Sequence, residues 1–128
     1  MRNRGFAVLA ALGFLISAAP LFAHHGVGVF DQEHSISVKG TVTEFAFVNP
    51  HVEIYFDAKD DKGNVEKWVA ESGSPNLMRR SGWSKVTLKP GDQVTFVGYP
   101  ARKGVKGMRL EKIVLPNGQD LLPEKTMD

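Results

Sequence analysis

Residues 36–48 read ISVKGTVTEFAFV, and the alternation of apolar residues in this stretch changes phase partway along. Its apolar positions fall into two sets of opposite parity, Ile36, Val38 and Val42, then Phe45 and Phe47. Because a strand points alternate side chains to opposite faces, such a change requires an extra residue or a sharp bend. We expect the bend at Gly40 and at the Thr43–Glu44 step, so the stretch predicts one long, bent strand.

Four further strands are predicted along the chain. HVEIYFDA (51–58) is the second, and it places alternate apolar residues on one face, Val52, Ile54, Phe56 and Ala58. The polar turn KDDKGN then leads to the third strand, VEKWVAE (65–71). QVTFVGY (93–99) and MRLEKIVL (108–115) are the fourth and fifth, and PNGQ is a tight turn that can start one more short strand.

One short helix interrupts the strands, within SPNLMRRSGW (74–83). Ser74 suits the N-cap, Pro75 suits the first helical position and Gly82 suits the end. Leu77 and Met78 are expected to face the core. The order β-β-β-α-β-β with a long, bent first strand predicts a mainly β protein, a small five-stranded OB-like barrel. A small β-sandwich is the alternative, although it usually has about seven strands and no internal helix.

The first 23 residues have the pattern of a secretory signal peptide. MRNR supplies two arginines, GFAVLAALGFLIS is an uncharged apolar core, and SAAPLFA ends in a small residue. Ser17 and Pro20 interrupt the run, and its strongly apolar part is shorter than the roughly 18–20 residues of a membrane anchor. We predict cleavage after Ala23 and a periplasmic or secreted protein, with an uncleaved anchor as the alternative.

The predicted organisation is a signal peptide (1–23), an N-terminal arm (24–35), a barrel domain (36–122) and a C-terminal tail (123–128). The chain carries 16 Lys+Arg and 14 Asp+Glu, and loss of Arg2 and Arg4 with the signal leaves it formally neutral. Charge therefore gives no reason to expect nucleic acid as a partner. The chain has no cysteine, which excludes disulfides and thiolate metal sites. No transmembrane segment is expected after cleavage, and the sequence leaves the oligomeric state open.

AHHGVG (23–28) holds two of the four histidines of the chain. After cleavage at Ala23, the α-amine and the ring Nδ1 of His24 could chelate one metal ion, since their ordinary pKa values are about 7.7–8.0 and about 6.5. Nitrogen ligands favour Cu(II) over the other divalent first-row ions. His25 and His51 are candidates for a third nitrogen, so the sequence indicates a copper-type metal site. The alternative is a solvated arm that binds nothing.

The segment NPH (49–51) is the second candidate. Asn49 and Pro50 end a strand, and His51 then opens the second strand at the rim of the barrel, either as a ligand or as a surface residue. Glu71 ends the third strand, where it could supply an oxygen ligand or orient an imidazole. The alternative for Glu71 is a solvated strand end. His34 is interpreted as a surface residue.

The loop ARKGVKGMR (101–109) joins strands four and five and is basic, with Arg102, Lys103, Lys106 and Arg109 around two glycines. In OB folds this loop contacts oligonucleotides. For a neutral, exported protein we favour a solvated hairpin. The functional alternative is an anionic envelope component, a lipid head group or a polysaccharide.

The sequence gives little support to catalysis, because it has no cysteine, no G-x-S-x-G and no H-E-x-x-H. We therefore predict a non-enzymatic binding protein with a copper-type ion. The alternative is a metal-free envelope module that binds a ligand or a protein through the barrel face and the 101–109 loop. A copper oxidative enzyme with a histidine brace is a third, less favoured reading.

Several motifs in combination carry a resemblance to a known family. After the signal come HH, then FD (30–31), GTVTEF (40–45), NPH (49–51), WVAE (68–71), PNLMRRSGW (75–83), KPGDQV (89–94) and GYPAR (98–102). Together they resemble the small exported bacterial proteins of the domain-of-unknown-function family numbered 6152. The resemblance implies export and a single β domain, and it implies no substrate, mechanism or residue role.

Overall fold

The computed structural model describes residues 29–125. Its strands are β1 (Ile36–Ala46), β2 (Glu53–Lys59), β3 (Val65–Glu71), β4 (Gln93–Pro100), β5 (Gly107–Val114) and the short β6 (Asp120–Leu121), and helix α1 (Pro75–Arg80) lies between β3 and β4. The predicted signal peptide, its cleavage after Ala23 and the first arm residues, 24–28, lie outside the described residues. Within residues 29–125, no helix is long and apolar enough to cross a membrane.

The strands close into a five-stranded mixed barrel. Neighbours in the order β3-β2-β1-β4-β5-β6 pair antiparallel, and β3 also pairs in parallel with β5, from Val69 opposite Gly107 to Glu71 opposite Arg109. That parallel contact joins the two ends of the five-stranded sheet. The predicted OB-like barrel is therefore confirmed, with its one short helix between β3 and β4 and with β6 as the extra short strand.

Strand β1 bends where the change of parity predicted it. Its first half pairs with β4 and its second half with β2, and the register shifts between Val42 and Glu44, so that Thr43 is the extra residue. Val42 is buried before the bulge, and Phe45 faces the same interior after it. A side chain at Gly40 would collide with the Phe56 ring, which explains glycine at this position.

The interior is centred on a stack of aromatic rings. Phe56 stacks on Phe96 with ring centroids 3.7 Å apart, and Trp68 also stacks with Phe56, at a centroid distance of 6.0 Å and with the ring planes 20° apart. The predicted apolar face of the second strand, with Val52 just ahead of β2, is buried along its whole length. These residues fill the barrel, so the functional candidates lie at its ends and on its outer face.

Helix α1 begins as predicted. The Ser74 side chain accepts a hydrogen bond from the backbone N–H of Leu77, and Pro75 follows at the first position. Met78 is fully buried, but the prediction for Leu77 is wrong because its exposed fraction is 42%. In a six-residue helix the buried stripe runs through Pro75 and Met78, three positions apart, and Leu77 lies about 100° away from Met78 around the axis.

Candidate functional site

The end of the N-terminal arm is fixed to the barrel. Phe30 forms a β-bridge with Ala101, and the Asp31 N–H donates to the Pro100 carbonyl at 2.8 Å. The Arg102 backbone N–H donates to the Val29 carbonyl at 2.8 Å, and its side-chain Nε donates to the Phe30 carbonyl at 3.1 Å. The arm therefore joins β1 from a defined position beside the 101–109 loop.

Directly after this anchor, three potential metal-ligand side chains meet: Asp31, Glu33 and His34. Their ligand atoms all lie within 4.8 Å of one another. Asp31 Oδ1 accepts from the Glu33 backbone N–H at 3.0 Å, and its Oδ2 lies 3.1 Å from His34 Nδ1. The Glu33 N–H and, after it, the His34 ring lower the pKa of the Asp31 carboxyl.

The contact shows that His34, interpreted from sequence as a surface residue, is exposed but has acidic neighbours. The signal that could have found it is the spacing D-x-E-H in residues 31–34, directly before a strand.

His51 and Glu71 are brought together at another end of a strand. His51 Nδ1 lies 3.2 Å from Glu71 Oε1, with the histidine side chain 41% exposed and the carboxylate 16%. His51 precedes β2 rather than opening it, after a cis Asn49–Pro50 bond. The Val52 N–H donates to the Gly73 carbonyl at 2.9 Å, which holds this loop against the end of β3. His51 and Glu71 are not members of the group formed by Asp31, Glu33 and His34.

The strand positions next to this pair carry both signs of charge, because Arg109 lies opposite Glu71 across β3 and β5. Glu53 lies directly opposite Glu71 across β2 and β3, so their side chains share a face. The Tyr55 hydroxyl donates to the Glu53 carboxylate, and this hydrogen bond is the main reason why the pKa of Tyr55 is raised to about 12. Glu53, Glu71 and Arg109 therefore occupy neighbouring strand positions close to where His51 precedes β2.

The structure gives structural partners to two of the four cations in the 101–109 loop. Lys106 pairs with Glu66 at 2.9 Å, and its Nζ lies 5.5 Å from the centre of the Trp68 ring. Arg102 donates to the Phe30 carbonyl, so its guanidinium helps to anchor the arm. Lys103 and Arg109 are exposed. His24 and His25, two of the predicted metal ligands, lie outside the described residues.

Comparison with known proteins gives a family match. A family model described as a family of unknown function (DUF6152) matches residues 13–109. No curated protein matches the chain significantly. Among solved structures, the crystal structure of the ZRD-deleted mutant of TiaS in complex with agmatine is similar with a TM-score of 0.45 and 17% identity, over 73% of this chain and 28% of that one.

Proposed function

The chain belongs to the DUF6152 family of unknown function, and from that premise we propose that it is an exported, non-enzymatic binding protein for a copper-type metal ion. The ion is bound by His24, through its α-amine and ring, and by His25, in the periplasm or outside the cell. The observation that carries the proposal is the group of Asp31, Glu33 and His34, which lies on the anchored end of the same arm.

The arm supplies ligands from two short segments. The six residues from His25 to Asp31 span at most about 20 Å when fully extended, so chain length permits both segments to bind one ion. An imidazole with two carboxylates suits several divalent metals. The additional amine and imidazole nitrogens of residues 24 and 25 favour copper over the others.

His51 is the alternative third imidazole. Its Nδ1 is held beside Glu71, the arrangement in which a carboxylate fixes the orientation of a ligand histidine. A site built from His24, His25 and His51 requires the start of the arm to reach the end of β3. A site built with His34 requires the arm only to fold back on itself.

The test is a Cu(II) titration of protein exported and cleaved by a bacterial host, with its first residue fixed by mass spectrometry. We expect one tight site with nitrogen ligands by electron paramagnetic resonance, and its loss in His24→Ala. His34→Ala and His51→Ala then identify the third imidazole. Only the variant that removes this ligand is expected to change the electron paramagnetic resonance spectrum. Equal binding after His24→Ala, or a first residue other than His24, overturns the proposal.

The non-enzymatic part of the proposal has its own measurement. The copper-loaded protein is compared with free copper for consumption of oxygen in the presence of a reductant. We expect no excess over free copper, and a clear excess would favour the oxidative enzyme instead.

The alternative function, a metal-free binding module of the cell envelope, has less support from the structure. Arg102 and Lys106 already contact the arm and Glu66, which leaves Lys103 and Arg109 to recognise a ligand. Three results together would favour this module: the unaltered chain binds an anionic polysaccharide, Lys103→Glu abolishes that binding, and the copper titration shows no tight site.

A further inference from the structure

Basic residues are concentrated around helix α1. Between Glu71 and Asp92 the sequence has no acidic residue and four basic ones, Arg79, Arg80, Lys85 and Lys89. All four are exposed, and none forms an ion pair within residues 29–125. We name residues 74–90 the cationic cap. In a mature chain that is formally neutral, this local excess of positive charge favours an anionic partner.

An apolar groove opens beside the cap. Its volume is about 480 Å³, and its apolar lining comes from Phe45, Val86, Leu88 and Pro90. Lys85 and Lys89 also line it, and Glu44 is its one acidic residue. A volume of this size lies within the range of small-ligand sites. An apolar floor with ammonium groups at its border suits a molecule with an apolar chain and an anionic head.

The cap also displays an apolar side chain on an ordered turn. Val86 is 85% exposed. Its N–H donates to Ser84 Oγ at 3.3 Å, and the Ser84 N–H donates to Thr87 Oγ1 at 2.8 Å. These hydrogen bonds fix the turn in which the Val86 side chain is exposed to solvent next to Lys85. The exposed Leu77 of α1 belongs to the same cap.

We propose that the cationic cap docks on an anionic phospholipid surface. Val86 and the groove take up acyl-chain carbons, while Lys85 and Lys89 bind the phosphate groups. Polybasic segments next to apolar side chains bind anionic membranes in this way, with each basic residue strengthening binding roughly fivefold. A nucleic acid would leave the groove and Val86 without a partner. The proposal is independent of the copper site.

The experiment is co-sedimentation of the full mature chain with vesicles of phosphatidylglycerol and phosphatidylcholine, compared with phosphatidylcholine alone. We expect binding only to the anionic vesicles, weakened by salt. Lys85→Glu with Lys89→Glu is expected to lower the partition coefficient roughly 25-fold or more. Val86→Asp is expected to lower it as well. Lys59→Glu with Lys62→Glu, which changes the net charge equally on the β2–β3 turn, is expected to retain binding.

Several results would overturn the proposal. Binding that the Lys59 and Lys62 double variant weakens as much as the cap variant would show a general charge effect. Complete competition by free glycerol phosphate would show a site for a soluble anion. Absence of vesicle binding, with a dimer that Val86→Asp dissociates in light scattering, would assign the cap to a second copy of the chain. Circular dichroism of each variant is the control for folding.

Discussion

At the scale of single residues, the hydrogen bond between Tyr55 and Glu53 has a measurable pH signature. The raised pKa of Tyr55, about 12, means that the folded state holds the phenol proton more tightly than the unfolded chain, where the value is near 10. The corresponding stabilisation is fully present below pH 10 and is lost as the pH rises towards 12.

Glu53→Gln is therefore expected to lower the pKa of Tyr55 towards 10, because a neutral amide no longer favours the protonated phenol. Tyrosinate absorbance measures the titration, and subtraction of the Tyr55→Phe curve isolates Tyr55 from Tyr99. An unchanged Tyr55 titration in Glu53→Gln would show that Glu53 is not the cause of the shift.

Single-residue chemistry was only partly predictable from sequence. The sequence makes Glu71 a candidate oxygen ligand, a candidate partner for an imidazole or a solvated strand end; the structure places its carboxylate against His51, and its role towards a metal stays a prediction. The contacts of Tyr55 with Glu53, and of Lys106 with Trp68, were not predicted. The first is a choice of rotamer, and the second depends on the parallel pairing of β3 with β5.

At the scale of elements, β1 depends on close approach at Gly40. A Cβ at this position would meet the Phe56 ring and lie 2.9 Å from the Asp57 carbonyl oxygen, and these groups belong to the core and to the β1–β2 ladder. Gly40→Ala is expected to lower the free energy of unfolding by about 1–3 kcal/mol, the usual cost of overpacking. Urea denaturation measures it.

Gly107→Ala is the matched control for this substitution. It also lies in a barrel strand, but a Cβ there would be in ordinary contact with Val69 at 3.5 Å. We expect the control to change the free energy of unfolding by less than about 0.5–1 kcal/mol. Equal losses in the two variants would show that any side chain on the strands is disruptive, and that the contact with Phe56 is not special.

Local patterns predicted the elements well where neighbours in sequence decide them. The parity change located the β1 bulge, and Ser74 with Pro75 located the start of α1. The local sequence pattern was wrong for Leu77, because the part of the core that α1 packs against sets the orientation of so short a helix. Met78 is buried as predicted, and the structure adds Trp83, just after the helix, as a second buried residue of this segment.

At the scale of the whole molecule, the two tryptophans report on separate parts of one core. Trp68 stacks near Phe56 within the barrel, while Trp83 follows α1 and donates from Nε1 to the Leu122 carbonyl at 2.9 Å. Since both belong to a single packed unit, we expect one cooperative unfolding transition. In Trp68→Phe and in Trp83→Phe, the fluorescence midpoint is expected to equal that of far-ultraviolet circular dichroism.

Different midpoints within Trp68→Phe, where only Trp83 fluoresces, would show that the cationic cap unfolds before the barrel. Trp68→Phe carries the lower risk for the fold, because its indole N–H is buried without a hydrogen-bond partner among the described residues. Trp83→Phe removes a hydrogen bond, so its comparison is made within the variant and not with the wild type.

The parallel contact between β3 and β5 also affects how readily concentrated protein can aggregate. Each of the five barrel strands pairs along part of its length with a strand on either side, and the contact from Val69 to Glu71 closes the circle between β3 and β5. Exposed sheet edges are the templates on which neighbouring chains add strands and begin to aggregate. A closed barrel withholds that template. Closure of the barrel therefore limits the strand edges on which copies of this chain could add strands, even when the chain is concentrated.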